Sequence, residues 1–128
     1  MCLDVVYRGK QKREAIAKLP EKFPVWKVCT KRNGKYYPWV IGEYDEDYRL
    51  FAGRQKAKSD LPSCGFHAFL TKETAERFAT APIIECVARR RDIRQIGHPN
   101  WLDSVGVVLS YCTFPKKCGQ RPRKRGKR

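Results

Sequence analysis

The sequence has no long apolar run and few acidic residues. No stretch approaches the ~20 consecutive apolar residues that a transmembrane helix needs, so no membrane partner is expected. The first residues lack the apolar core of a secretory signal peptide, which favours a cytoplasmic protein with reduced cysteines. Acidic residues number 13 against 28 Lys and Arg, giving a formal net charge of +15. This balance favours a polyanionic partner, because a polyanion relieves the self-repulsion.

Motifs that would identify a reaction are also missing. The sequence contains no phosphate-binding Gly-rich loop, no His-Glu-x-x-His zinc helix and no Gly-x-Ser-x-Gly nucleophile turn. A chain of 128 residues is the size of one domain with a core of its own. These features favour a small binding protein over an enzyme.

The cations concentrate at the C-terminal end. Residues 115–128 contain eight Lys or Arg and no acid. Interspersed Pro and Gly predict a flexible basic arm on a globular domain of residues 1–114. We expect the arm to bind RNA, DNA or a host nucleoprotein complex through phosphate contacts. Its cations are Lys116, Lys117, Arg121, Arg123, Lys124, Arg125, Lys127 and Arg128.

Two further groups carry positive charge. Arg89, Arg90 and Arg91 follow a predicted strand and are suited to bidentate phosphate contacts, although an ordinary charged turn is the alternative. Tyr36, Tyr37, Trp39 and Tyr44 lie beside cationic residues at a predicted hairpin. They are interpreted either as a stacking surface for a single strand or as core aromatics.

Periodicity predicts an α+β fold, with a mostly antiparallel sheet and one or two short helices packed on one face. Asn33-Gly34 predicts a type I′ hairpin turn. Residues 53–63 are expected to form a mobile loop, and residues 89–94 a charged turn. The predicted helices cover residues 10–19 and 72–79. The predicted strands cover residues 3–7, 25–31, 36–41, 65–70, 83–88 and 105–114.

A zinc site is an alternative source of stability. Cys64-x-x-His67 has the spacing of half a tetrahedral site, and Cys112 with Cys118 would complete three thiolates and one imidazole. Cys29 and Cys86 lie within apolar stretches and are predicted to be core residues. No other cofactor is expected.

The opening Met1-Cys-Leu-Asp and the Gly65-Phe-His-Ala-Phe segment resemble parts of small uncharacterised phage and prophage proteins. In that group a short helix and further Val/Ile-rich strands follow. The resemblance implies a phage-type accessory protein acting in the host cytoplasm, with inhibition of a host defence such as CRISPR as a specific form. It implies no enzymatic activity.

A second resemblance is to the ADP-ribosyltransferase fold. Tyr7-Arg8-Gly9 resembles that family's early strand, and the segment 65–75 resembles a later one. The resemblance implies, as an alternative function, an ADP-ribosyltransferase-like enzyme or a binder of an NAD-derived nucleotide, with a ligand pocket around Tyr7, Arg8 and His67. The family's late catalytic Glu has no recognisable counterpart among the carboxylates of this sequence.

Overall fold

The computed structural model describes residues 3, 5–38, 49–57, 65–78, 81–98 and 105–120. It confirms a sheet-rich fold with few helices, α1 (Gly9–Ala17) and α2 (Lys72–Phe78). Short 3₁₀ turns cover Arg90–Asp92 and Lys116–Cys118. The strands are β1 (Val5–Val6), β2 (Lys22–Arg32), β3 (Lys35–Pro38), β4 (Gly53–Lys56), β5 (Phe66–Phe69), β6 (Ile83–Arg89), β7 (Ile93–His98), β8 (Gly106–Leu109) and β9 (Tyr111–Phe114).

One antiparallel sheet organises the described residues. Its strand order is β1-β7-β8-β5-β2-β6-β9-β4, and β3 pairs with the far part of β2. The central strand β2 is antiparallel to both β5 and β6, so these two strands run parallel to each other. Helix α2 connects them, which makes β5-α2-β6 a crossover unit within the sheet.

The β2–β3 hairpin is confirmed in position and turn geometry. Arg32 pairs with Lys35 across the turn. Asn33 and Gly34 have φ angles of 52° and 78°, the left-handed pair that a type I′ turn requires. An Asn-Gly pair adopts these angles at little cost, so a local signal was sufficient to predict this element.

The two helices lie on opposite faces of the sheet, contrary to the expected one-sided arrangement. Along β2, Val25 and Cys29 belong to the main core, whereas Val28 belongs to a smaller cluster on the other face. Helix α1 packs on the main core through Ile16, and α2 packs on the smaller cluster through Ala75. Central strands that are apolar at both alternating positions need cover on both faces, and each helix supplies one.

The prediction of a single strand over residues 105–114 is wrong, because the structure has two strands there. The segment divides at Ser110 into β8, which pairs with β5 and β7, and β9, which pairs with β4 and β6. The Ser110 amide donates to the Asp92 carbonyl at 2.8 Å, and the Ser110 carbonyl accepts from Ala57 at 2.8 Å. These bonds redirect the chain, although the β-branched residues on both sides of Ser110 form one continuous pattern.

Two expected irregular segments contain strands. Part of the expected 53–63 loop is β4, and the end of the expected 89–94 turn begins β7. Gln55 is buried in β4, where its side-chain carbonyl accepts from the Phe51 amide and its side-chain amide donates to the Arg49 carbonyl. The inward-facing residue of β4 is a hydrogen-bonded glutamine, so the strand shows no alternation of apolar and polar residues. Hydrophobic periodicity therefore did not predict it.

The folded chain extends beyond the predicted domain boundary at residue 114. Cys118 is buried in the main core, and its carbonyl accepts from Arg49 Nη2 at 3.2 Å. The Gly119 carbonyl accepts from the Ala52 amide at 2.8 Å. Residues 121–128, which hold most of the predicted basic arm, lie outside the described residues.

Across the described ranges, no helix has both the length and the apolar character needed to cross a bilayer.

Candidate nucleic-acid interface

Four strands present a basic face to solvent on the α2 side of the sheet. Pro24 pairs with Val87, Val87 with Thr113, and Thr113 with Arg54, so these residues form one row across the strands. A second row lies two residues further along each strand, where Lys22 pairs with Arg89 and Tyr111 pairs with Lys56. Together the two rows are called the open face, which consists of Lys22, Pro24, Arg54, Lys56, Val87, Arg89, Tyr111 and Thr113.

Within the described residues, α2 is too short to cover the open face. Seven helical residues extend about 10 Å, whereas four strands at ~4.8 Å spacing are wider than that. The helix packs next to the open face, on the part of the same sheet side that holds Val28 and Phe69. Val87 at the centre of the open face is 44% exposed, an unusual position for a large apolar side chain in mid-sheet.

A stacked pair occupies one side of the open face. The Arg54 guanidinium lies 4.3 Å from the centre of the Tyr111 ring. Arg54 Nη1 also donates to Asp92 Oδ2 at 2.9 Å, and this carboxylate is nearly buried. A guanidinium held by a buried carboxylate has a fixed orientation, so the cation and the ring form one preorganised surface.

One residue of the predicted arginine cluster belongs to this surface. Arg89 ends β6 on the open face, directly opposite Lys22 of β2. Arg91 is exposed in the 3₁₀ turn that follows. Arg90 Nη1 instead donates to the Leu19 carbonyl at 3.1 Å, which ties it to the chain after α1. The three arginines therefore take different positions, with Arg89 alone belonging to the open face.

Lys116 and Lys117 lie at the other end of the sheet. Lys117 Nζ is 5.9 Å from the centre of the Tyr36 ring, and Lys31 Nζ is 5.4 Å from the same ring. Tyr36 is half-buried against the main core, which favours the core interpretation of this hairpin aromatic. Lys22 and Lys31 are nine residues apart in β2, so roughly 30 Å separates the two basic ends.

The predicted ligand pocket does not come together. Tyr7 and Arg8 do line a cleft of about 250 Å³ together with Lys12 and Arg94. His67, however, lies on β5, which β7 and β8 separate from β1. Its neighbours Phe66 and Ala68 face the main core, so the alternation of the strand directs His67 to the opposite face.

The predicted zinc ligands are also divided. Cys112 and Cys118 are buried in the main core, His67 is on the other face of the sheet, and Cys64 lies outside the described residues. No group of three or more His, Cys, Asp or Glu side chains within the described ranges is arranged to hold a metal ion.

The described cysteines are free thiols within the core, as predicted for Cys29 and Cys86. Burial raises the pKa of Cys29 to about 12. A hydrogen bond with Cys112, reinforced by burial, raises the pKa of Cys86, and burial raises the pKa of Cys118. Thiols that resist ionisation are poor nucleophiles, and these cysteines pack within the main core.

No protein family, curated protein or solved structure matches this chain. The likenesses to phage proteins and to ADP-ribosyltransferases therefore rest on the short motifs alone.

Sequence reasoning identified Arg89 and missed the rest of the open face. The missing members come from strands that are distant in sequence, and only the strand order places them together. A local signal did exist, since Glu85, Val87 and Arg89 alternate with buried residues along β6. That alternation places Val87 and Arg89 on the same side of the strand.

Proposed function

We propose that this chain is a phage-type accessory protein that binds nucleic acid, or a host complex loaded with nucleic acid, through its basic surface. The observation that carries the proposal is the cluster of cations at one end of the open face. Lys22, Lys56 and Arg89 come from three strands and lie within reach of one extended polyanion.

The charge distribution supports a phosphate partner. The carboxylate of Asp92 is paired with Arg54, and none of the eight open-face residues is acidic. The formal net charge of +15 adds long-range attraction for any polyanion. Residues 121–128 contribute six further cations by sequence. Contacts to phosphate position a strand without reading its bases, so little sequence preference is expected.

Binding across a salt series tests this function. The full chain and a chain of residues 1–120 would be compared on single-stranded and duplex oligonucleotides. Ending at residue 120 keeps Cys118 and Gly119 in place while removing six cations. We expect the full chain to bind with a steep salt dependence, and the truncation to reduce the slope on a single strand by up to about 4.

Absence of binding by the full chain at both low and physiological salt would reject the proposal. An equal salt slope for the two chains would remove residues 121–128 from the interface and leave the folded surface as the binding element. The phage resemblance supports a guide-loaded defence nuclease as the specific partner. Capture of such a complex with and without its guide RNA tests that form, and equal capture of both would reject dependence on nucleic acid.

A further inference from the structure

We infer that the open face binds single-stranded nucleic acid, with a base stacked on the Arg54–Tyr111 pair and the phosphates held by Lys22, Lys56 and Arg89. This inference rests on the proposed function and assigns it a surface and a form of nucleic acid. Three independent features of the open face carry it.

The first feature is shape. The open face is the surface of four adjacent strands, and its side chains project from a shallow pleated sheet. The Tyr111 and Thr113 side chains are half-buried, and Val87 between the strands is exposed. A broad surface of this kind suits splayed bases, which present flat apolar surfaces, better than the cylindrical backbone of a duplex.

The second feature is the stacking group. Bases stack on aromatic rings and on guanidinium planes alike, and this face holds one of each in contact. Asp92 holds the guanidinium in place before any ligand arrives, which lowers the entropy lost on binding. The exposed Val87, which lies in the same row as Arg54, offers an apolar neighbour for a second base.

The third feature is the arrangement of charge around the stacking group. Lys56 of β4 pairs with Tyr111, and continuing the Val87–Thr113 pairing by two residues sets Arg89 of β6 on the other side of Tyr111. Lys22 continues the row beyond Arg89. A row of cations crossing the strands on both sides of an aromatic ring fits a backbone that passes across the sheet while its bases face the protein.

Two surface variants test the inference. Tyr111→Leu removes the stacking ring and keeps an apolar side chain, and K22Q/K56Q/R89Q removes the three phosphate contacts. The matched control is K10Q/R13Q/K18Q, which removes three exposed cations from around α1 on the opposite side of the sheet. Each protein would be titrated with oligo(dT), oligo(U) and a duplex of equal length, so that DNA and RNA are distinguished.

We expect Tyr111→Leu to weaken single-strand binding roughly 5- to 150-fold, as loss of one stacked base predicts, with the salt slope unchanged. The triple variant should lower the slope by about 2, and the α1 control should lower it much less. Photo-crosslinking of the unmodified chain to a thiolated oligonucleotide should label peptides from β4, β6 and β9. That measurement tests the inference even if a variant fails to fold.

The outcomes separate this inference from the proposed function. If the full chain binds nucleic acid but both open-face variants bind like the unmodified chain, the function stands and the open face is the wrong surface. Tighter binding of the duplex, or crosslinks confined to other peptides, would also overturn the inference. If the full chain binds no nucleic acid, the proposed function fails first.

Discussion

At the scale of single residues, side-chain chemistry predicted burial well where the residue is apolar and poorly where it is charged. Cys29 and Cys86 behave as small core residues, as their apolar neighbours indicated. Lys27 is the charged exception, because a lysine is ordinarily exposed and this one is only 4% exposed. Its Nζ donates to the His67 carbonyl at 3.1 Å. The acceptor is supplied by β5, which is 40 residues away in sequence, so no local pattern predicts the bond.

Alkaline pH should expose the contribution of the buried thiols. Below pH 9 the Cys29 thiol is protonated in both the folded and the unfolded chain, so its full contribution to stability is present. Between pH 9 and about 12 the unfolded chain ionises this thiol while the folded chain does not. The free energy of unfolding should therefore fall by about 1.4 kcal/mol per pH unit from this group.

Urea unfolding at pH 8, 9 and 10 measures this effect in the unmodified chain and in Cys29→Ala. The variant should be less stable at pH 8 and should lose less stability on the way to pH 10. Lys and Tyr ionisation affects both proteins alike and cancels in the comparison. Parallel pH profiles would show that Cys29 ionises equally in both states.

At the scale of elements, the sequence predicted structure that depends on adjacent residues and did not predict structure that depends on contacts between distant residues. The β2–β3 hairpin follows from two adjacent residues, and its turn has the predicted geometry. The break at Ser110 depends on hydrogen bonds to Asp92 and Ala57, which are far away in sequence. Strand β4 is polar because it lies at an edge of the sheet, and its position at that edge depends on the whole topology.

Gly97 should be essential to the attachment of β1. A Cβ atom at this position would overlap the Val5 carbonyl across the β1–β7 ladder and would lie 3.1 Å from Val6 Cα. Both obstacles are backbone atoms, so neither can turn aside as a flexible side chain would. Gly97→Ala should lower the free energy of unfolding by about 1–3 kcal/mol.

Chemical denaturation measures that loss, and hydrogen exchange locates it. The Tyr7 amide, which donates to the Ile96 carbonyl at 2.9 Å, should exchange faster in the variant. Val5→Ala is the control, because Val5 is 38% exposed and its truncation removes little packing. Unchanged stability and exchange in Gly97→Ala would mean that β1 moves aside at no cost.

At the scale of the whole molecule, composition predicted the basic character but misplaced the end of the folded unit. The run of Lys and Arg from residue 116 resembles a tail, yet Cys118 within it is 1% exposed. A single buried residue among cations gives no periodic signal. The end of the domain therefore could not be located from the sequence.

Two truncations should differ sharply in stability. A chain of residues 1–114 loses the buried Cys118 and the hydrogen bonds from Arg49 and Ala52 to the segment after β9. We expect this to lower the free energy of unfolding by about 2–4 kcal/mol. A chain of residues 1–120 keeps these contacts and should unfold like the full protein. Equal thermal midpoints for the two truncations would contradict the structural role of residues 115–119.

The division at Ser110 also determines when the molecule can fold during its synthesis. Strand β8 fills the place between β7 and β5, and β9 fills the place between β6 and β4. Both strands follow β7 in the chain, so the strands that they pair with keep unpaired edges until residues 106–114 have left the ribosome. A nascent chain with such edges is open to pairing with its neighbours. This sheet is therefore completed only once β8 and β9 have been synthesised, however early the β2–β3 hairpin forms.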